Sequence, residues 1–131
     1  DEYAREAIQR LYRTQKLYSF ILFGFVILPD HCHFLLYPLS PSTISKIMNS
    51  YKSGLTFDTV IQKLWPPRFH IRFPKNGNAA LRYIHNKPVK TEIVNRAEEY
   101  PWASASEKWN VESLCDESIA EARNVTIVRN R

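Results

Sequence analysis

Two histidines flank a single cysteine in PDHCHFLLYP, residues 29–38. In a β-strand, next-but-one neighbours share a face, so His31 and His33 would project together with Cα atoms about 7 Å apart while Cys32 points away. Two imidazoles so placed can reach one metal ion or one phosphate. Three chemistries compete for them. The pair can be structural, hydrogen-bonded at the start of a strand. It can join Cys32 in a structural zinc site, which fails on geometry because the thiol lies on the opposite face and no second ligand pair is near. It can also hold a catalytic divalent ion at an open site, where two imidazoles and one further ligand leave positions for water or phosphate oxygens.

A catalytic ion needs a reaction to serve. The chain has no phosphate-cradling GxxxxGK[ST] loop, no GxSxG elbow and no HExxH helix. Neither Cys32 nor Cys115 has a context that marks a nucleophile. What remains is LRYIHNKPVK, residues 81–90, where helical spacing sets Tyr83 and Lys87 one turn apart on one face. A phenol ionises near pH 10 and attacks phosphorus poorly unless basic neighbours and a polarised phosphate assist it. The same spacing also suits a tyrosine packed on a sheet beside a solvated lysine.

Charge is distributed unevenly. Within a net charge of +5, the stretch from Thr59 to Thr91 holds seven basic residues and no acidic one: Lys63, Arg68, Arg72, Lys75, Arg82, Lys87 and Lys90. Trp65, Phe69, Phe73 and Tyr83 are interleaved with them. Cations with aromatics between them suit a phosphate backbone with stackable bases; a solvated basic face would read the same way.

These residues need elements to position them. At 131 residues and 44% hydrophobic composition the chain is expected to fold as one globular domain. Its longest apolar run, Phe20 to Leu28, is too short to span a bilayer. No secretory signal opens the sequence and the two cysteines make no disulfide framework, so a reducing cytosol is expected. The spacing predicts an amphipathic helix over 2–18 with Tyr3, Ala7, Leu11 and Tyr18 inward. It predicts a tight antiparallel hairpin over 19–37, in which His31, His33, Leu35 and Tyr37 share one face and Cys32, Phe34 and Leu36 the other. A helix capped by Ser42 or Thr43 runs to about Leu55, with Ile44, Ile47, Met48 and Tyr51 as its stripe. A strand follows at Arg68–Phe73, then a loop and cap at Asn76-Gly77-Asn78, then a helix over Ala79–Lys87 stopped by Pro88. A short helix near 112–123 and a strand at Val125–Val128 complete the reading. This order predicts an α+β fold, an antiparallel sheet with helices on one face. A ferredoxin-like plait needs one more strand, either absent before residue 1 or replaced by the C-terminal one.

Two segments, FVILPDHCHFLLYP and YIHNKPVKTEIVNRAEEYPWASA, together resemble the single-tyrosine HUH transposases, in their REP-associated branch. KIMNSYKSG and LWPPRFHIRF also fit, and the likeness runs from about residue 3 to 106, leaving 107–131 as a C-terminal extension. The resemblance implies a prokaryotic, nucleoid-associated enzyme of DNA transposition that binds single-stranded or hairpin DNA, as a monomer or homodimer. It implies Mg2+ or Mn2+ on His31 and His33, with Tyr83 forming a 5′-phosphotyrosine link. The third ligand of such sites, one turn past the tyrosine, is usually Asn or Gln; here it is Lys87, with Asn86 as the neighbour that could take the role. An acidic residue common in the family's later strand is Ile71 here. A catalytically silent nucleic-acid-binding module of the same shape is the alternative that these departures raise.

Overall fold

The computed structural model describes residues 2–55, 69–114 and 126–129. Helix α1 (Glu2–Leu17) buries Ala4, Ala7, Ile8, Leu11 and Thr14, a spacing of three and four that turns one stripe to the core. Tyr3, expected on that stripe, is 43% exposed, because Ala4 holds the inward position instead. Strands β1 (Phe20–Ile27) and β2 (Cys32–Pro38) form the expected antiparallel hairpin. Helix α2 (Ile44–Leu55) starts at Thr43, whose hydroxyl accepts from the Lys46 backbone N–H at 3.3 Å. From α2, the Tyr51 hydroxyl donates to the Ala7 carbonyl of α1 at 3.0 Å.

Strand β3 (His70–Arg72) is shorter than the sequence predicts. Helix α3 (Gly77–Lys90) begins at Asn76, whose side chain accepts from the Ala79 N–H at 3.0 Å, and it continues past Pro88 for a last half turn. The expected stop at Pro88 is therefore corrected. A proline near a helix end removes a single backbone bond, and the Thr91 hydroxyl and N–H cap the Lys87 carbonyl beyond it. Strand β4 (Thr126–Arg129) coincides with the expected Val125–Val128 over 126–128 and extends to Arg129; Val125 lies outside the described residues. Residues 112–114 of the expected late helix are not helical, and the rest of it lies outside the described residues.

The sheet order is β1–β2–β4–β3, with every neighbouring pair antiparallel. This is an α+β fold in which β4 takes the inner place that the first strand of a ferredoxin-like plait would hold. The segment expected to be an extension thus contributes an inner strand. The outer edge of β1 is covered from both sides of the extension's start: the Ile27 N–H bonds to the Trp102 carbonyl, and from the extension the Glu112 N–H bonds to the Leu22 carbonyl.

A bulge at Leu22–Gly24 reverses the alternation of β1 midway. Phe20, Leu22, Phe25 and Ile27 consequently join α1 and α2 in one core, together with Cys32, Phe34, Tyr51 and Val128. Phe23, Val26 and Leu28 join Leu35, Ile84 and Ile127 in a second core on the other face. The expectation of helices on one face is corrected accordingly. Helices α1 and α2 share a face, and α3 covers the other because Phe23, Val26 and Leu35 need an apolar lid there.

Candidate active site

The candidate site residues gather on the α3 face of the sheet. His33 in β2 and His31 in the residue just before it share this face, where their rings lie edge to face with centroids 5.2 Å apart. Asp30, in the turn before β2, has Oδ1 2.6 Å from His31 Nδ1. With the carboxylate there, Nδ1 carries the proton and donates it, which leaves the Nε2 lone pair of His31 open; a carboxylate orients ligating histidines in this way in metal sites.

His33 is 1% exposed and neither ring nitrogen has a hydrogen-bond partner. A buried polar atom left without a partner is costly, and both ring nitrogens of His33 are in that position. Burial pushes the His33 pKa down to about 3, and the positive charges of His31 when protonated, Lys87, Arg129 and Arg72 add to the effect. The ring is neutral across the physiological range and its lone pair is available.

Helix α3 delivers the phenol. Ile84, fully buried, and Pro88 anchor one side of the helix to the sheet, which turns Tyr83 across the strand end. The Tyr83 ring, 38% exposed, meets His33 edge to face with centroids 5.8 Å apart and planes at 88°. One turn on, Lys87 Nζ stands over the Tyr83 ring, 5.3 Å from its centroid. Lys87 is thus turned into the site and Asn86 is exposed.

A cleft of about 260 Å³ opens here, lined by His33, His70, Arg72, Tyr83, Ile127 and Arg129. The pairing explains its walls. Arg129 of β4 is opposite His33 on one side and His70 on the other, and Ile127 is opposite Leu35 and Arg72. Directly opposed residues point to the same face, so two cross-strand rows end in this cleft. A contiguous groove continues past Tyr83 to Arg72, Phe73 and Lys75.

Of the basic residues singled out in the sequence, the structure brings Arg72 and Lys75 to the cleft and groove and sets Lys87 over the Tyr83 ring. Arg82 and Lys90 are exposed on α3, and Lys63 and Arg68 lie outside the described residues. Asp30, His70 and Arg129 were missed. His70 and Arg72 alternate visibly in HIR, but only the insertion of β4 sets Arg129 between His33 and His70.

Among the described residues no group of three or more His, Cys, Asp or Glu could hold a metal. The donor set that is present fits a divalent ion through two nitrogens: His31, oriented by Asp30, and His33, with no other partner. Lys87 cannot ligate while protonated. Phosphate oxygens and water would have to fill the remaining positions, as they do for Mg2+, which keeps oxygen ligands.

A further histidine on α3 has a bracing role. His85 Nε2 lies 2.7 Å from Ser104 Oγ, which also accepts from the Phe25 N–H at 3.0 Å. This ties the helix to the bulged strand.

No family model and no curated protein matches the chain. Its fold is similar to that of a solved structure described as a REP-associated tyrosine transposase bound to a REP hairpin, with a TM-score of 0.66 and 21% sequence identity over 90% of this chain and 78% of that one. The likeness establishes the fold. Among the described residues, no helix is long and apolar enough to cross a membrane.

Proposed function

We propose that the chain cleaves and rejoins single-stranded, hairpin-forming DNA, with Tyr83 as nucleophile and His31 and His33 as ligands of Mg2+ or Mn2+. The observation that carries this reading is the placement of the Tyr83 ring 5.8 Å from His33, in a cleft that also holds Arg72 and Arg129. The structurally similar transposase was solved with a DNA hairpin, and a basic cleft with an exposed aromatic beside it suits the same class of ligand here.

In the step proposed, the Tyr83 oxygen forms a bond to phosphorus as the bond from phosphorus to the upstream 3′-oxygen breaks. The phenol gives its proton to solvent and the departing 3′-oxygen takes one up, so protons balance. The products are a 5′-phosphotyrosine and a free 3′-OH, and a second strand's 3′-OH reverses the step. The energy of the broken bond is kept in the protein–DNA link, so the reaction needs no nucleotide triphosphate. A bound divalent ion supplies Lewis-acid polarisation of the phosphoryl oxygens. The chain's own residues do the rest. Asp30 fixes the His31 ring, burial keeps His33 uncharged, and Lys87 directs positive charge at the phosphate that Tyr83 attacks.

The test is incubation of a labelled hairpin oligonucleotide with the protein and Mn2+, followed by denaturing electrophoresis. A covalent adduct is expected for the wild type and none for Tyr83→Phe, which should still bind the hairpin. An adduct that persists unchanged in Tyr83→Phe removes Tyr83 from the role.

Lys87 in the third-ligand place, and the cations around His33, favour a second reading in which the same cleft binds nucleic acid without cutting it. That reading predicts salt-sensitive hairpin binding and no adduct with any metal.

A further inference from the structure

We propose that Arg129 and Arg72 form a phosphate-binding wall opposite Tyr83, so that the C-terminal strand supplies a phosphate-holding residue to the cleft. The part of this wall in strand cleavage rests on the function proposed above; the phosphate site itself stands on its own geometry.

The placement follows from sheet register. Arg129 is opposite both His33 and His70, and Arg72 is opposite Ile127, the next inward-facing position of β4. Both guanidinium groups therefore belong to the α3 face, and both residues line the cleft with Tyr83. Among the described residues that line the cleft, none is acidic. His33 adds an independent sign: it is 1% exposed, lines the same cleft, and has two ring nitrogens without a hydrogen-bond partner. A neutral imidazole offers one N–H, and a phosphate oxygen over the cleft floor would accept it.

The chemical class of ligand follows from the donors. A guanidinium presents a rigid fork that matches two oxygens of a phosphate, and two forks on adjacent strands suit a tetrahedral dianion or a phosphodiester better than a planar carboxylate. Lysine, a point charge, would keep attraction and lose that geometry.

The experiment titrates inorganic phosphate into the metal-free full chain and follows arginine side-chain N–H and histidine ring signals by NMR. Saturable shifts at Arg129 and Arg72 are expected. Arg129→Gln should weaken phosphate binding by about tenfold, and Arg129→Lys should fall between. In a parallel arm, hairpin DNA binding in EDTA should show a log–log salt slope reduced by about 1 in Arg129→Gln and unchanged in Lys108→Gln, which lies outside the cleft. Wild-type and variant melting curves show whether each variant is folded; if Arg129→Gln does not fold, Arg129→Lys and the wild-type shifts decide. Absence of phosphate shifts at Arg129, or equal phosphate affinity in Arg129→Gln, overturns the proposal. Phosphate binding lost in Arg129→Gln while wild type forms no DNA adduct leaves the phosphate site standing and removes the cleavage reading.

Discussion

The rings of His33 and Tyr83 meet edge to face within a single chain, 5.8 Å between centroids, although 50 positions separate them in sequence. Strand β2 supplies one and helix α3 the other. On the function proposed, one subunit therefore carries both phenol and imidazoles. A mixture of Tyr83→Phe and His33→Ala proteins should form no more adduct with a labelled hairpin than either alone. Recovery of adduct in the mixture would mean that the tyrosine serves a partner's histidines.

Asp30 accepts from His31 Nδ1 at 2.6 Å and so selects the tautomer whose Nε2 carries a lone pair. Asp30→Asn keeps the shape and weakens the orientation. Removing such an outer partner typically lowers metal affinity by about 10–100-fold. The Mn2+ concentration giving half-maximal adduct should rise to that extent, with hairpin binding in EDTA unchanged. An unchanged Mn2+ requirement would detach His31 from the ion.

Lys87 stands over the Tyr83 ring and adds positive charge near His33. Replacing it by asparagine removes that charge and introduces an amide oxygen at the third-ligand place. Lys87→Asn should lower the Mn2+ concentration for half-maximal adduct by roughly tenfold, a change typical of improved ligation. It should also reduce the salt slope of DNA binding by about 1. A variant that loses adduct altogether would make Lys87 a phosphate-holding residue whose charge outweighs its repulsion of the ion.

The candidate site was partly legible in the sequence because its clearest element obeys local periodicity. Period-two alternation in HCHFLLY puts His31 and His33 on one side of the chain whatever packs there, and a four-residue step joins Tyr83 to Lys87. The hairpin and the stripes of α1 and α2 follow from the same arithmetic. What escaped depends on contacts between distant segments. The bulge at Leu22–Gly24 inverts half of β1; a glycine inside a strand hints at a bulge but does not say that the register shifts there. The side of the sheet that α3 covers is decided by where Phe23, Val26 and Leu35 end up. Arg129 and His70 reach the cleft only because β4 enters between β2 and β3, a pairing across more than fifty residues.

Gly24 sits where the bulged strand touches α3. A Cβ there would run into the Leu81 side chain and come within 3.2 Å of Ser104 Oγ, the atom that also meets His85. Gly24→Ala should destabilise the fold by about 1–3 kcal/mol, the usual range for overpacking, read as a lower urea midpoint at unchanged slope. If Leu81 cannot swing aside and α3 shifts instead, adduct formation should fall more than hairpin binding does. A variant as stable as wild type would show that Leu81 moves aside without disturbing the helix.

Acid should loosen the protein before its carboxylates titrate. Burial is the largest cause of the lowered pKa values of both His33, held down to about 3, and His85. In the unfolded chain each imidazole takes a proton near pH 6.5. Between that value and the folded one, the unfolded state binds protons that the folded state refuses, so stability falls as pH falls. The full contribution is present above about pH 6.5; for His33 the loss continues down to about pH 3, below which the folded form is protonated as well. Urea midpoints should therefore drop between pH 7.5 and 5. His85→Gln, which can keep a hydrogen bond to Ser104, should show a shallower drop than wild type. A His85→Gln profile parallel to wild type would mean that the half-buried ring of His85 is protonated as readily as one in water, and a midpoint that rises on acidification would mean that the folded state takes up protons more readily than the unfolded chain.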